Sequence, residues 1–259
     1  YFNIPTFENL NEALADGPNV VFVTTPTSLH VSVALEAAQS GCHLFVEKPL
    51  SPNLDDVDKL LSLAKAKGLV TLVGCNMRFH PGIAKVKKLL AEGTIGTIVS
   101  ARAQTGQWLP DWHPWEDYRL GYSANQHLGG GIILDAIHEI DYIQWMVGEP
   151  VDDVACFAGH LSRLEIDTED TAAILLRFAG GTIGEIHMDY VQRSSSRSCH
   201  IVGNDGSVRW DQSNQKVDWY TASDGDWHQF DYSSEWDPNQ MYLDELGHFL
   251  RCLTGEEQT

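Results

Sequence analysis

The strongest constraint on what this chain can fold into is the alternation of short β-branched runs with amphipathic stretches across its first 75 residues. Val20-Val21-Phe22-Val23-Thr24-Thr25 is a continuous apolar run ending in polar residues, as a parallel strand does where it meets a ligand edge. Pro26-Thr27-Ser28 opens a helix through about Ser40, with Val31, Ala34, Leu35 and Ala38 at helical spacing, and Gly41 closes it. His43-Leu44-Phe45-Val46 reads as the second strand, Leu54 to Lys67 as the second helix, and Leu69-Val70-Thr71-Leu72-Val73 as the third strand. Strand–helix–strand–helix–strand at this spacing predicts a parallel α/β unit with right-handed crossovers.

After Asn76 the pattern changes, so the expected domains are 1–76 and 77–259. A helix near 82–92 precedes a strand at 97–107, an irregular aromatic stretch and a helix at about 131–147. Strands follow at Val151–Gly159, Thr171–Phe178, Thr182–Val191, Ser198–Val202, Ser207–Asp211 and Val217–Thr221, with a closing helix from about Pro238 to Leu253. Gly180-Gly181 and Asn204-Asp205-Gly206 are turn signals that make hairpins of their neighbours. Strands in succession with helices across one face predict an α+β domain whose sheet is mostly antiparallel.

A three-strand parallel unit is half of a doubly wound dinucleotide fold, and the half with the glycine fingerprint comes first. No Gly-x-Gly-x-x-Gly opens a helix after a strand here, so either this segment lies upstream of residue 1 or no dinucleotide binds; the motifs below favour the first. Gly129-Gly130-Gly131 precedes a helix but follows residues unlike a strand; it reads as a turn allowing close backbone approach, not as a pyrophosphate cradle. The formal charge of −19 opposes binding to nucleic acid or anionic membranes, and Lys85, Lys87 and Lys88 read as a solvated helix face. The five cysteines, scattered and without a Cys-x-x-Cys pair, read as thiols in a reducing compartment, with the cytoplasm as the default.

Three signals carry chemistry. Glu47-Lys48-Pro49 sits at the end of the second strand, where open parallel sheets bind ligands. A lysine there can hydrogen-bond and polarise a substrate oxygen, and the proline fixes the backbone beside it, with a cis bond as one option; a surface Lys–Glu pair is the plain alternative. Asp135-Ala136-Ile137-His138-Glu139-Ile140-Asp141 spaces Asp135, His138 and Asp141 three apart on one helix, placing an imidazole between carboxylates, a group able to exchange a proton near neutral pH. A metal site of Asp135, His138 and Glu139 is the rival, and salt-bridge or capping roles are the plain reading. The third signal is a pair of strand-end segments, Thr25-Pro26-Thr27-Ser28-Leu29-His30 and Gly74-Cys75-Asn76-Met77-Arg78-Phe79-His80-Pro81. The stretch from Trp108 to Arg119 is either a substrate wall or a small aromatic core; Trp112, Tyr118 and Arg119 are its candidate contacts.

The spaced set Thr-Pro-x-x-x-His, Glu-Lys-Pro, Asn-x-Arg and Gly-Gly…Asp-x-x-His-x-x-Asp resembles the glucose–fructose oxidoreductase / inositol dehydrogenase family, from midway through its nucleotide domain to near the end of its second domain. The resemblance implies a partial Rossmann-type parallel sheet followed by an α+β domain with a large open sheet used for ligand binding and homo-oligomerisation, as a dimer or tetramer. It implies NAD or NADP as cofactor, a polyhydroxylated substrate and no metal. It makes Lys48 the catalytic lysine and His138 the acid/base, and sets Thr25, Pro26, His30, Glu47, Lys48 and Asn76 at the nicotinamide–ribose end. Many members place the catalytic aspartate four residues before the histidine, where this chain has Leu134. Asp135 therefore takes the orienting role and Asp141 a substrate contact. The same fold also supports catalytically silent sugar sensors and NAD-assisted glycosidases, which net cofactor reduction distinguishes from a dehydrogenase.

Overall fold

The computed structural model describes residues 4–234 and 236–259; residues 1–3 of the expected first domain lie outside the described residues. The chain divides into two compact units, one of residues 1–74, 127–129 and 245–259, the other of residues 75–126 and 130–244. A single cut after residue 76 was expected; the structure instead returns two later segments to the first unit.

The first unit begins with a short helix, α1 (Leu10–Ala15), then β1 (Val20–Val23), a 3₁₀ turn at Thr27–Leu29, α2 (His30–Gln39), β2 (His43–Glu47), α3 (Val57–Lys67) and β3 (Thr71–Gly74). The strands form one parallel sheet in the order β1-β2-β3, with Val23 opposite Val46 and Glu47 opposite Gly74. Side chains alternate across the sheet. Val23, Leu44 and Val46 pack with Val31, Ala34, Leu35, Ala38 and Leu60 in one apolar cluster. Phe22 and Phe45 stack at 5.1 Å on the other face. Asp56 takes a left-handed backbone conformation before α3, so that helix starts at Val57 and not at Leu54 as expected.

The second unit opens with a 3₁₀ turn at Asn76–Phe79, α4 (Pro81–Ala91) and β4 (Ile98–Gly106). After the aromatic stretch come α5 (Ile132–Asp135), α6 (Ile137–Val147), β5 (Val151–Gly159), β6 (Thr171–Phe178), β7 (Ile183–Asp189), β8 (Ser196–Gly203), β9 (Gly206–Asp211), β10 (Lys216–Thr221) and β11 (Asp226–Asp231). One sheet holds all eight strands in the order β11-β10-β9-β8-β4-β7-β6-β5. Every pairing is antiparallel except β4 with β7. The sequence missed β11. The helix expected over 131–147 is two segments, because Ala136 leaves helical geometry at φ −92°, ψ 31°. Ala101, Ala103, Ile186, Met188, Ile201 and Val208 turn one sheet face into the core shared with Ile83, Val86, Tyr142 and Met146.

The last helix, α7 (Pro238–Thr254), starts in the second unit and ends in the first. Its stripe Glu245, Phe249 and Cys252 is buried. Phe249 meets Phe22 and Phe45 edge-on at 5.8 and 5.6 Å, so this part of the helix packs on the phenylalanine face of β1 and β2. One turn earlier along the helix, about 6 Å, Glu245 comes level with Glu47, two residues beyond Phe45 on β2. Burial, and secondarily the Glu47 carboxylate, push Glu245 up to about 8. A carboxyl whose folded value is raised holds its proton more tightly than the unfolded chain does. Its stabilising contribution is complete below the ordinary 4.5 and is lost as pH rises through about 8. The slope in that window is up to about 1.4 kcal/mol per pH unit. Glu245→Gln, a neutral mimic, should melt above wild type at pH 8.5 and close to it at pH 5 (the two values bracketing most of the window). Parallel melting curves for both proteins across that range would assign the titration elsewhere.

Candidate active site

In the first unit the carboxyl ends of β1 and β2 are tied by one buried imidazole. His30 Nδ1 lies 2.8 Å from the Pro49 carbonyl oxygen and Nε2 lies 2.8 Å from that of Thr25. Both ring nitrogens are thereby committed to backbone. His30, expected among the cofactor contacts, holds Thr25 and the Lys48–Pro49 turn in register. The Lys48–Pro49 bond is cis. Lys48 and Glu47 are half-buried at this edge, and Pro26 is exposed beside it. Thr25 Oγ1 is buried and has no hydrogen-bond partner among the described residues. An orphaned hydroxyl at a parallel strand end suits a polar ligand group.

The 3₁₀ turn that opens the second unit carries Asn76, buried with its Oδ1 unpartnered among the described residues. His80, part of the same sequence signal, has a structural role. It caps α4 by accepting from the Gly82 N–H at 3.1 Å, and its ring is enclosed edge-on by Trp210, Tyr232 and Trp236. Burial, with Arg197 nearby, lowers it to about 4, so it stays neutral.

His138 is buried on α6. Asp135, at the end of α5, is also buried, and its carboxylate accepts from three hydroxyls: Tyr122 to Oδ1, Ser123 to Oδ2 at 2.7 Å and Tyr190 to Oδ2 at 3.0 Å. Asp141 accepts a two-pronged bond from Arg78, Nε at 2.9 Å and Nη2 at 2.6 Å. The expected site thus keeps its acids but gives each a partner of its own. Glu139, proposed in the metal alternative, is wholly buried with Arg197 Nε 2.8 Å from its Oε1. Among the described residues no group of three His, Cys, Asp or Glu is placed to hold a metal ion.

The aromatic stretch packs in part on the core of the second unit. Trp112 packs against the core, edge-on to Tyr190 at 5.3 Å. The Tyr118 hydroxyl accepts from the Glu165 N–H at 3.2 Å, and exposed Arg119 is held by Asp117 and Glu165. Trp115 points to solvent. Gly130 and Gly131 do allow close approach: a Cβ at Gly130 would lie 2.1 Å from the Tyr122 carbonyl oxygen, and Gly131, at φ +110°, sits against the Glu169 carboxylate. Glu169 in turn caps α5 through the Ile133 N–H at 3.1 Å. Tyr122, Ser123, Tyr190, Arg197 and Glu169 carried no local signal, since each meets its partner across at least a dozen residues of chain.

Residues 1–75 match the oxidoreductase family with an NAD-binding Rossmann fold, and residues 83–209 match the GFO/IDH/MocA C-terminal domain. The myo-inositol 2-dehydrogenase of Thermotoga maritima is 30% identical across 94% of this chain and 72% of its own length. The chain belongs to the GFO/IDH/MocA oxidoreductase family. The levoglucosan dehydrogenase of Pseudarthrobacter phenanthrenivorans is 29% identical across 78% of this GFO/IDH/MocA chain, a match that takes in 59% of the relative's length. A solved levoglucosan dehydrogenase, in complex with NADH and L-sorbose, shares the fold with a TM-score of 0.86 at 23% identity, over 97% of this chain and 75% of that one.

The buried ion pair beside His138 yields a stability prediction. Burial raises the Glu139 carboxyl while Arg197 opposes it. Arg197→Met strands that carboxyl in the core and should cost about 3–5 kcal/mol in urea unfolding, whereas Glu139→Met/Arg197→Met together should recover most of it. A loss under about 1 kcal/mol in the single variant would mean that the pair is not the anchor of α6.

Proposed function

We propose that this chain carries out reversible hydride transfer between NAD or NADP and a carbinol carbon of a sugar, cyclitol or sugar derivative. The observation that carries this is the match of residues 1–75 to the NAD-binding family domain in a chain that keeps Lys48 at the end of β2 and a buried His138 on α6. The relatives named for levoglucosan and myo-inositol support polyhydroxylated substrates.

Thr25, Pro26, Glu47 and Asn76 would hold the nicotinamide–ribose end; the orphaned oxygens of Thr25 and Asn76 fit its amide and hydroxyl groups. The cofactor, when bound, accepts or returns the hydride. Lys48 Nζ donates a hydrogen bond to the substrate oxygen and polarises it. His138 takes the hydroxyl proton as the carbonyl forms and gives it back in the reverse direction. Asp135 supplies the fixed negative charge that favours the imidazolium. His30 keeps Lys48 in place by holding the Thr25 and Pro49 carbonyls. Trp112, Tyr118, Arg119 and Asp141 line the substrate side, with Asp141 acting through its bond to Arg78.

The outer face of the large sheet supports a homo-oligomer, a dimer or tetramer in which a second copy covers it. That face has a cleft of about 430 Å³ lined by Arg102, Gln104, Phe157, Leu175, Glu185 and His187, and Phe157 and Leu175 are exposed. All five cysteines are free thiols, which supports a reducing compartment such as the cytoplasm.

Three measurements test these assignments. With myo-inositol, levoglucosan and L-sorbose as a panel and NAD or NADP as oxidant, wild type should reduce cofactor with at least one of them, and no reduction with any would overturn the dehydrogenase assignment. His138→Ala should lower turnover roughly 10²–10⁴-fold while cofactor affinity, followed by fluorescence, stays near wild type; equal loss of both would make His138 structural. For the assembly, Phe157→Glu should yield a smaller species than wild type by light scattering. An unchanged mass would move the interface elsewhere.

A further inference from the structure

The hydroxyl cage around Asp135 is more than the general acid–base scheme requires. A carboxylate offers about four acceptor sites, and O–H donors from two separate parts of the second unit take up three of them. Tyr122 and Ser123 come from the 3₁₀ turn Tyr122–Ala124, and Tyr190 from the residue after β7. Asp135, Ser123 and Tyr190 are all buried, Tyr190 completely.

Each donor is itself fixed. The Tyr190 N–H donates to the Asp170 carbonyl at 2.8 Å, and its own carbonyl accepts from the Leu109 N–H at 3.0 Å. Its ring lies edge-on to Trp112. The Ser123 carbonyl accepts from the Gly131 N–H and from the Thr168 hydroxyl, each at 3.1 Å. Gly130 lets the chain press against the Tyr122 carbonyl where any Cβ would collide. These anchors stop the hydroxyls from following the carboxylate, so the carboxylate is held by them. Burial and the Asp135 charge keep the Tyr190 phenol well above its ordinary value, and it remains a donor at working pH.

Resting on the role given above to Asp135, we propose that Tyr190, together with Ser123 and Tyr122, is a positioning residue for the reaction: the cage fixes Asp135 as an oriented charge in the service of His138. A helix alone would not do this. α5 ends at Asp135 and Ala136 is non-helical, so the spacing to His138 is not that of a continuous helix face. The orientation that unbroken helical geometry would supply comes instead from the three hydroxyls.

The test is a double-mutant cycle on the active enzyme, with NAD(P) and the substrate turned over in the panel above. Tyr190→Phe keeps the ring packing on Trp112 and deletes one donor. It should lower kcat roughly 10- to 100-fold, the scale of a hydrogen bond to a charged group, with KM and cofactor affinity within about 2-fold of wild type. In an Asp135→Asn background the same change should alter kcat by less than about 3-fold, because the group it acts through is gone. Ser123→Ala, which deletes another of the three hydroxyls, should repeat the pattern and stands in if Tyr190→Phe fails to fold. Wild-type kcat in both hydroxyl variants, or equal losses with and without Asp135, would overturn the cage alone. Wild-type kcat in Asp135→Asn would overturn the catalytic role of Asp135, and the cage with it.

Discussion

Buried charge governs the layout of the second unit. Asp135 and Glu139 enter the core within a few residues of each other, and an unpaired carboxylate there would cost several kcal/mol. Their partners have to come from distant chain: Tyr122 and Ser123 from the turn before the glycines, Tyr190 from beyond β7, and Arg197 from β8. Satisfying two carboxylates therefore fixes the path of the 107–128 stretch, the turn after β7 and the register of β8 against α6.

The first unit meets the same problem differently. Thr25 and Pro49 present backbone carbonyls at adjacent strand ends, and His30 sets one ring nitrogen 2.8 Å from each oxygen. On the opposite sheet face, α7 sets a buried carboxyl level with Glu47. There the cost is relieved by a retained proton and not by a cation. His30 therefore fixes the backbone at Thr25 and at Pro49, next to Lys48, while the retained proton on Glu245 removes a like charge facing Glu47. Both act at the strand ends that carry Glu47 and Lys48.

Much of this was legible in the sequence wherever the signal is local. The three parallel strands, the α+β character of the remainder, the glycine turn and the positions of Lys48 and His138 followed from period, punctuation and motif. What escaped depends on long-range pairing. β11 is short and bounded by exposed acidic residues, so its apolar positions are too few to stand out. The break at Ala136 has no proline or glycine to announce it. His30 looks like a ligand contact until two carbonyls far apart in sequence are seen to converge on it. Arg78 was part of a noted motif, yet its bond to Asp141 spans 63 residues.

The return of the last helix to the first unit has a bearing on biosynthesis. The stacked pair Phe22 and Phe45 leaves the ribosome ahead of the second unit, but Phe249, which packs on that face, follows about two hundred residues later. At ordinary elongation rates of about 5–20 residues per second, the gap is roughly 10–40 seconds. Through that interval the nascent chain carries an aromatic sheet face lacking its native cover, while the second unit is still being made. The sheet of the first unit is thus translated before the second unit, and its final packing waits for Phe249.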